Sequence, residues 1–336
     1  MTLKRIIPIL IMFTLSLNSL SWGQEISKIG TTAAPFLQIG VGSRASALGE
    51  AYTAVTENSS SLYWNPSGID NYQKNDVAFN YSDWFAGMKY MNFGGVLHLE
   101  GIGSFGLSVT SFTTPEMVVT TVEEPEGLGT RYDASDLALG VSYAKKLTDN
   151  FTFGATFKYI NRRIWHENAT GIAMDFGISY KLPVKDMQLG MSILNFGSKL
   201  KMEGPDLAVL YDPDPTSTGN NDQILADQHT KEWALPLSFR FGLSYKVLET
   251  DYNKLLLAAD YIHPNDNFSS LNVGCEYSFM NYFHARIGYK SISLDNAEEG
   301  LTFGGGVEYD FIGVDYSYVK MKTLGYVQQY SVSLAF

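Results

Sequence analysis

The side chains with which this chain could do chemistry are five histidines, one cysteine, a crowd of aspartates and a short glycine motif. His98, His166, His229, His263 and His284 show no His-x-x-x-His spacing, and Cys275 stands alone, so the sequence offers no zinc ligand set and no intrachain disulfide. No Gly-x-Ser-x-Gly is present. A hydrolase, such as an outer-leaflet lipid deacylase, would need a serine and a histidine brought within hydrogen-bond reach from separate strands. His284 shares a strand parity with Arg286, where hydrogen bonding is the commoner task for a histidine. Asp212, Asp214, Asp222 and Asp227 are oxygen donors of the kind calcium takes, but their spacing fits no EF-hand loop; a solvated acidic loop is the simpler reading. The run Gly40 to Ala45 imitates a dinucleotide fingerprint, which works only between a strand and a helix of a βαβ unit. The chain beyond it reads as β-hairpins. The sequence therefore predicts no cofactor, no metal and no catalysis.

The elements that position these residues begin with an export signal. Lys4 and Arg5 precede the apolar run Ile6 to Leu17, and Ser21-Trp22-Gly23 puts small residues at the −3 and −1 positions. Residues 1–23 read as a signal peptide cleaved before Gln24. No later apolar stretch reaches the roughly 18 residues of a membrane helix. With 35 acidic against 24 basic residues the net charge is −11, which disfavours nucleic acid as a partner. The exported protein is either soluble or a membrane barrel.

Alternation decides between them. Phe239, Phe241, Leu243, Tyr245 and Val247 alternate with Ser238, Arg240, Gly242, Ser244 and Lys246, and the terminal segment sets Tyr330, Val332, Leu334 and Phe336 against Gln329, Ser331, Ser333 and Ala335. Carried through, this period-two pattern predicts strands near 75–82, 88–99, 102–113, 133–146, 151–163, 168–182, 187–196, 236–248, 253–263, 269–279, 282–292, 300–309, 311–321 and 326–336. Connections after the even strands are short, and those after strands 3, 5, 7 and 11 are longer. That parity fits periplasmic turns and outside loops. A soluble β-sandwich also alternates, but it explains neither the aromatic load on one face nor the terminal Phe336. The expected fold is all-β: a 14-stranded antiparallel transmembrane β-barrel with a small N-terminal helical plug. Its divisions are 1–23 (signal), 24–74 (periplasmic segment and plug) and 75–336 (barrel).

The inward parity carries Lys158, Arg240, Lys246, Arg286 and Lys290 together with Asp175, Asp260, Glu276, Glu308 and Asp315. A balanced set reads as ion pairs bracing a filled barrel, because a desolvated charge needs a partner. A selective pore would more often show rings of one sign. Fourteen strands leave a lumen that side chains alone do not fill, so a plug or an aqueous channel is expected. Residues 30–70 suit a plug: Ser43 to Val55 has helical apolar spacing with Ser43 as cap, and Asn65-Pro66-Ser67-Gly68 is a turn. Arg44 is either a lock, paired with an inward carboxylate such as Glu276, Glu308 or Asp315, or a solvated periplasmic arginine.

Residues 30–69 resemble the N-terminal signature of the PorV/PorQ family of outer-membrane proteins. The resemblance rests on Phe36-Leu37, Gly42, Arg44-Ala45, Leu48-Gly49, Ala51, Ala54, Trp64-Asn65-Pro66 and Gly68-Ile69, with Ser67 where alanine is commoner. That family is similar in turn to FadL-type fourteen-stranded transporters. The resemblance implies a bacterial outer-membrane location and a role in type IX secretion. The partners it implies are outer-membrane lipid, a translocon barrel, attachment-complex proteins or the C-terminal signal domains of cargo. The long loop 197–235, with Asp212, Asp214, Asp222 and Trp233, is the candidate partner contact. The alternative is a FadL-like transporter of hydrophobic small molecules. A continuous apolar pocket or a sideways opening would favour transport; a filled lumen of balanced charge favours binding.

Overall fold

The computed structural model describes residues 28–336 apart from 56, 128, 185, 215, 217–222, 295 and 296. The signal peptide and Asp222 lie outside the described residues. Fourteen strands form one closed antiparallel barrel: β1 (Asp76–Asp83), β2 (Lys89–Leu99), β3 (Gly103–Thr113), β4 (Ala134–Thr148), β5 (Phe151–Ile164), β6 (Glu167–Lys181) and β7 (Met187–Gly197), then β8 (Ser238–Glu249), β9 (Asn253–Pro264), β10 (Ser270–Phe279), β11 (Phe283–Tyr289), β12 (Glu299–Tyr309), β13 (Ile312–Met321) and β14 (Tyr326–Ala335). Each strand pairs with its sequence neighbours, and β1 closes the sheet against β14, with Phe79 opposite Val332 and Tyr81 opposite Tyr330. Closure satisfies every strand edge, which is what hydrocarbon surroundings require.

The period-two chemistry sorts as expected. Phe79, Phe93, Leu107, Phe157, Ile287 and Val332 stand exposed on the outer face, while Asn80, Asn92, Ser142, Thr156, Asp260 and Asn272 are buried inside. Apolar side chains outside and polar ones inside invert the arrangement of a water-soluble domain; the solvent outside this wall is lipid. Two boundaries differ from the pattern. The connection after β5 is only Trp165–His166, because β5 and β6 continue as a long ribbon and Trp165 takes the left-handed conformation (φ 54) that a tight turn needs. β11 stops at Tyr289: Lys290 turns inward to carboxylates, and Ser291 also has positive φ (58).

Inside lies the plug. It comprises a 3-10 turn (Pro35–Gln38), α1 (Ser43–Ala47), α2 (Ser61–Trp64) and a second 3-10 turn (Pro66–Asp70). The helix expected from Ser43 to Val55 lasts five residues. Gly49 (φ 66) and Glu50 (φ 62) are both left-handed and break it, although Leu48, Ala51, Tyr52 and Val55 are all buried as their spacing requires. Gly42 rather than Ser43 occupies the cap position, and the Ser43 N–H donates to Ser331 Oγ of β14. The plug starts at the long-loop end. The Ala33 N–H donates to Ala234 O (2.8 Å), and Thr32 Oγ1 (2.5 Å) and Gln38 Nε2 (3.0 Å) donate to Asp266, in the loop between β9 and β10. Residues 32–38 therefore lie at the end of the barrel opposite the short turns.

Candidate functional site

The plug sits directly on the backbone of the wall. Gly94, Gly106, Gly154, Gly177, Gly190, Gly242, Gly274, Gly288 and Gly304 face inward and form a belt at plug level. Three pairs are in register across neighbouring strands: Gly154 with Gly177, Gly190 with Gly242, and Gly274 with Gly288. A Cβ at Gly154 would fall on Pro66 and Ser67, and one at Gly242 on Thr53 and Ala54; at Gly274 and Gly288 it would fall on Leu48 and Gly49. In return Gly49 lies against the backbone of Tyr289 and Val273, where only glycine fits. Polar bonds complete the seat. Asp260 accepts the N–H groups of Tyr52 (3.0 Å) and Thr53 (2.8 Å), Thr302 Oγ1 donates to Ala47 O (3.0 Å), and Asn65 Nδ2 donates to Thr53 O (2.9 Å) and to Ile178 O of β6 (3.0 Å). Asn65 also caps the Pro66–Asp70 turn that contains Gly68, and Trp64 Nε1 donates to Val41 O.

The charges of the lumen are joined to one another and to the plug. Arg44 binds Glu276 with both arms of its guanidinium (2.8 and 2.7 Å). Glu276 also accepts from Arg286 (2.5 Å), which reaches Asp315 on β13. One carboxylate thus holds two arginines, one from the plug and one from the wall. Lys158 pairs with Asp175 (2.6 Å) and donates to Asn195. Arg240 lies 4.7 Å from the Trp64 ring centroid as a cation–π contact. Glu308 stands at the short-turn mouth, 3.7 Å from His284 Nε2. Arg44 therefore reaches one of its three expected carboxylates and is apart from the other two in its direct bonds. The sequence reading missed Glu50, Glu57 and Glu299. Lys290 bonds Glu50 (2.7 Å) and pairs with Glu299, and Lys246 pairs with Glu57 (3.3 Å). It missed the glycine belt too, although an inward glycine in strand after strand was there to be noticed. In the plug, burial pushes the Tyr52 phenol up to about 12 and Tyr63 well up, so both remain neutral; Tyr63 donates to Leu37 O.

Below the plug, at the short-turn end, a vestibule of about 330 Å³ opens between Arg44, Lys74, Lys246, Glu276, His284 and Glu308. Its lining mixes these charged side chains with Leu255, Val307, Phe311 and Ile312. Serine–histidine contacts do occur, at His98–Ser104 (2.9 Å), His284–Ser278 (2.8 Å) and His263–Ser269 (2.7 Å). Each spans a hairpin end and engages Nδ1. Ser104 is fully buried and donates to Asp70, and at His284 the carboxylate lies on the Nε2 side. At His284 that reverses the arrangement in which an acid holds Nδ1 and leaves Nε2 as base. At His98, Nδ1 contacts both Asp70 (3.2 Å) and Ser104, and Ser104 in turn donates to Asp70, so that serine is held by a carboxylate rather than by a free base. Among the described residues no three His, Cys, Asp or Glu side chains are gathered for a metal.

The long-loop face is built over the start of the plug. Phe36 and Leu37 pack with Ile160, Ala173, Leu200 and Leu235. Trp233 exchanges backbone bonds with Leu200, and a two-stranded hairpin, Ala208–Tyr211 with Ile224–Asp227, projects beyond them. Asp212 and Asp214 lie just past its first strand; Asp214 N–H donates to Asp212 and its carboxylate accepts from Thr216.

Residues 23–182 match the family model described as type IX secretion system protein PorV. The plug and the first six strands are PorV-like. The barrel as a whole is similar to solved structures of a monoaromatic hydrocarbon channel, CymD (14% identity, TM-score 0.57, 89% of this chain and 98% of that one), and of a FadL homologue from Pseudomonas aeruginosa (13%, 0.54, 88% and 98%). The toluene transporter TbuX from Ralstonia pickettii is comparable (12%, 0.53, 88% and 97%). At such identities the likeness is one of fold. No curated protein sequence matches the chain. The protein is a bacterial outer-membrane β-barrel, PorV-like in its plug and FadL-like in its architecture. Arg44, the Trp64-Asn65-Pro66 turn and the glycines of β2 to β6 all fall within the matched residues 23–182.

Proposed function

We propose that this PorV-like barrel is a type IX secretion component that holds cargo signal domains or partner barrels at its long-loop face and conducts nothing through its lumen. The observation that carries the reading is the seat of the plug: wall glycines press on plug backbone, and Arg44 is tied to the wall through Glu276. A lumen closed in this way supports a docking task. The test is a pull-down from detergent-solubilised outer membranes with this protein as bait, followed by mass spectrometry. Recovery of a very large translocon barrel or of proteins with C-terminal sorting domains supports it. Recovery of the barrel alone, with bound fatty acid or hydrocarbon, overturns it.

The second reading is transport of hydrophobic molecules, as the names of the channel and transporter relatives suggest. One observation favours it. An apolar groove on the lipid-facing wall, lined by Leu257, Val273, Cys275, Ile287 and Leu301, lies over the Gly274–Gly288 pair, with the plug on the other side. Against it stand the charges within the vestibule, Arg44, Lys74, Lys246, Glu276 and Glu308, beside which an apolar solute would leave ionised groups less solvated.

A further inference from the structure

Most of the long-loop face is spoken for. Leu200 and Leu235 cover the start of the plug, and Trp233 is bridged to Leu200. The hairpin formed by Ala208–Tyr211 and Ile224–Asp227 is different. Its strands pair only with each other, and among the described residues neither outer edge makes a backbone hydrogen bond to another segment. Leu210 sits directly opposite Leu225, and these side chains are 66% and 73% exposed; Tyr211 opposite Ile224 gives the other face an apolar pair as well. An isolated two-stranded ribbon is marginal in water. Open edges and uncovered apolar pairs are features that a water-exposed hairpin avoids unless something docks there.

The surroundings specify what would dock. The connection 198–237 carries seven acidic residues against three lysines, and 114–133, at the same end, carries five acidic residues against one arginine. We infer that the Ala208–Tyr211/Ile224–Asp227 hairpin is a docking edge for an extended basic segment of an exported polypeptide. That segment adds as a third strand, sets apolar side chains over Leu210 and Leu225, and turns lysine or arginine toward the acidic loops. Backbone bonds supply affinity without demanding one sequence, and the charge supplies attraction at a distance. This inference rests on the secretion reading and names where and by what chemistry that reading would operate.

The experiment uses the full protein in lipid nanodiscs and fluorescent peptides of about ten residues, a short strand's length. One alternates valine with lysine, one alternates valine with glutamate, and one is the lysine peptide with alternate backbone amides methylated. The lysine peptide binds, the other two do not, and Leu210→Asp or Leu225→Asp weakens binding by about tenfold or more. Both positions are exposed, so the variants keep the barrel's unfolding temperature. Equal binding of the methylated peptide, equal binding of the glutamate peptide, or binding untouched by the substitutions overturns the inference. The pull-down separates the two levels. Exported proteins recovered equally by wild type and Leu225→Asp remove the hairpin while leaving the secretion reading; none recovered by wild type removes the secretion reading, whatever the peptides do.

Discussion

Glu276 receives two arginines, so the two ends of its network are not equivalent. Removing Arg44 leaves Glu276 with Arg286, whereas Glu276→Gln leaves the plug arginine buried beside Arg286 with no shared anion. Breaking a buried pair from one side costs about 3–5 kcal/mol; Glu276→Gln should approach that range and Arg44→Ala should fall below it. Denaturant unfolding followed by the gel mobility of the folded barrel measures both, and equal losses would contradict the shared-anion arrangement. Tyr52 gives a second test. An unfolded tyrosine ionises near pH 10 and this one near 12, so its contribution is fully present below about pH 10 and is lost as the pH rises through 12. Phenolate absorbance at 295 nm should show a fraction ionising late, and Tyr52→Phe should remove part of it. Residues of this kind were only half legible. Strand parity put Glu276, Arg286 and Asp315 on one surface, but three carboxylates shared that parity with nothing to rank them. Glu50 and Glu57 lie in irregular backbone, where no period says which way a side chain points.

At the scale of elements, the strands were readable because lipid outside and a polar plug inside impose chemistry of period two along every strand. The plug was less so. Apolar spacing from Ser43 to Val55 matched a helix, yet Gly49 and Glu50 turn left-handed, since the chain must lie flat against Gly274 and Gly288 where another helical turn would not fit. The belt makes a prediction about seating. Gly190→Leu would drive a side chain into Thr53 and Ala54, and Gly288→Leu into Leu48 and Gly49. Leucine at an outward position of the same strand, such as Tyr289→Leu, leaves the plug alone. In planar bilayers the inward variants should show frequent openings, and the outward variant should stay as quiet as wild type. Quiet traces from all three would mean that the belt does not set the seal.

For the whole molecule, strand number, order and closure were available from alternation and loop parity, because a barrel has one simple way to satisfy its edges. The starting position of the plug was not. Nothing in residues 29–38 announces that they reach Ala234 and Asp266, since both partners lie two hundred residues away and bond through backbone or short side chains. A cysteine placed at the exposed Thr31 should therefore react on intact cells with a membrane-impermeant maleimide, and protection there would reverse the assigned direction of the plug. The same geometry restricts the order of assembly. A segment that starts at the long-loop rim and bonds through Ser43 and Ser46 to Ser331 and Gln329 of the final strand couples its own docking to closure of the seam. The order this favours is a plug laid across the open sheet first, with the seam between the first and last strands closing over it, so that the stretch nearest the amino terminus would act as the template on which the last strand finds its place.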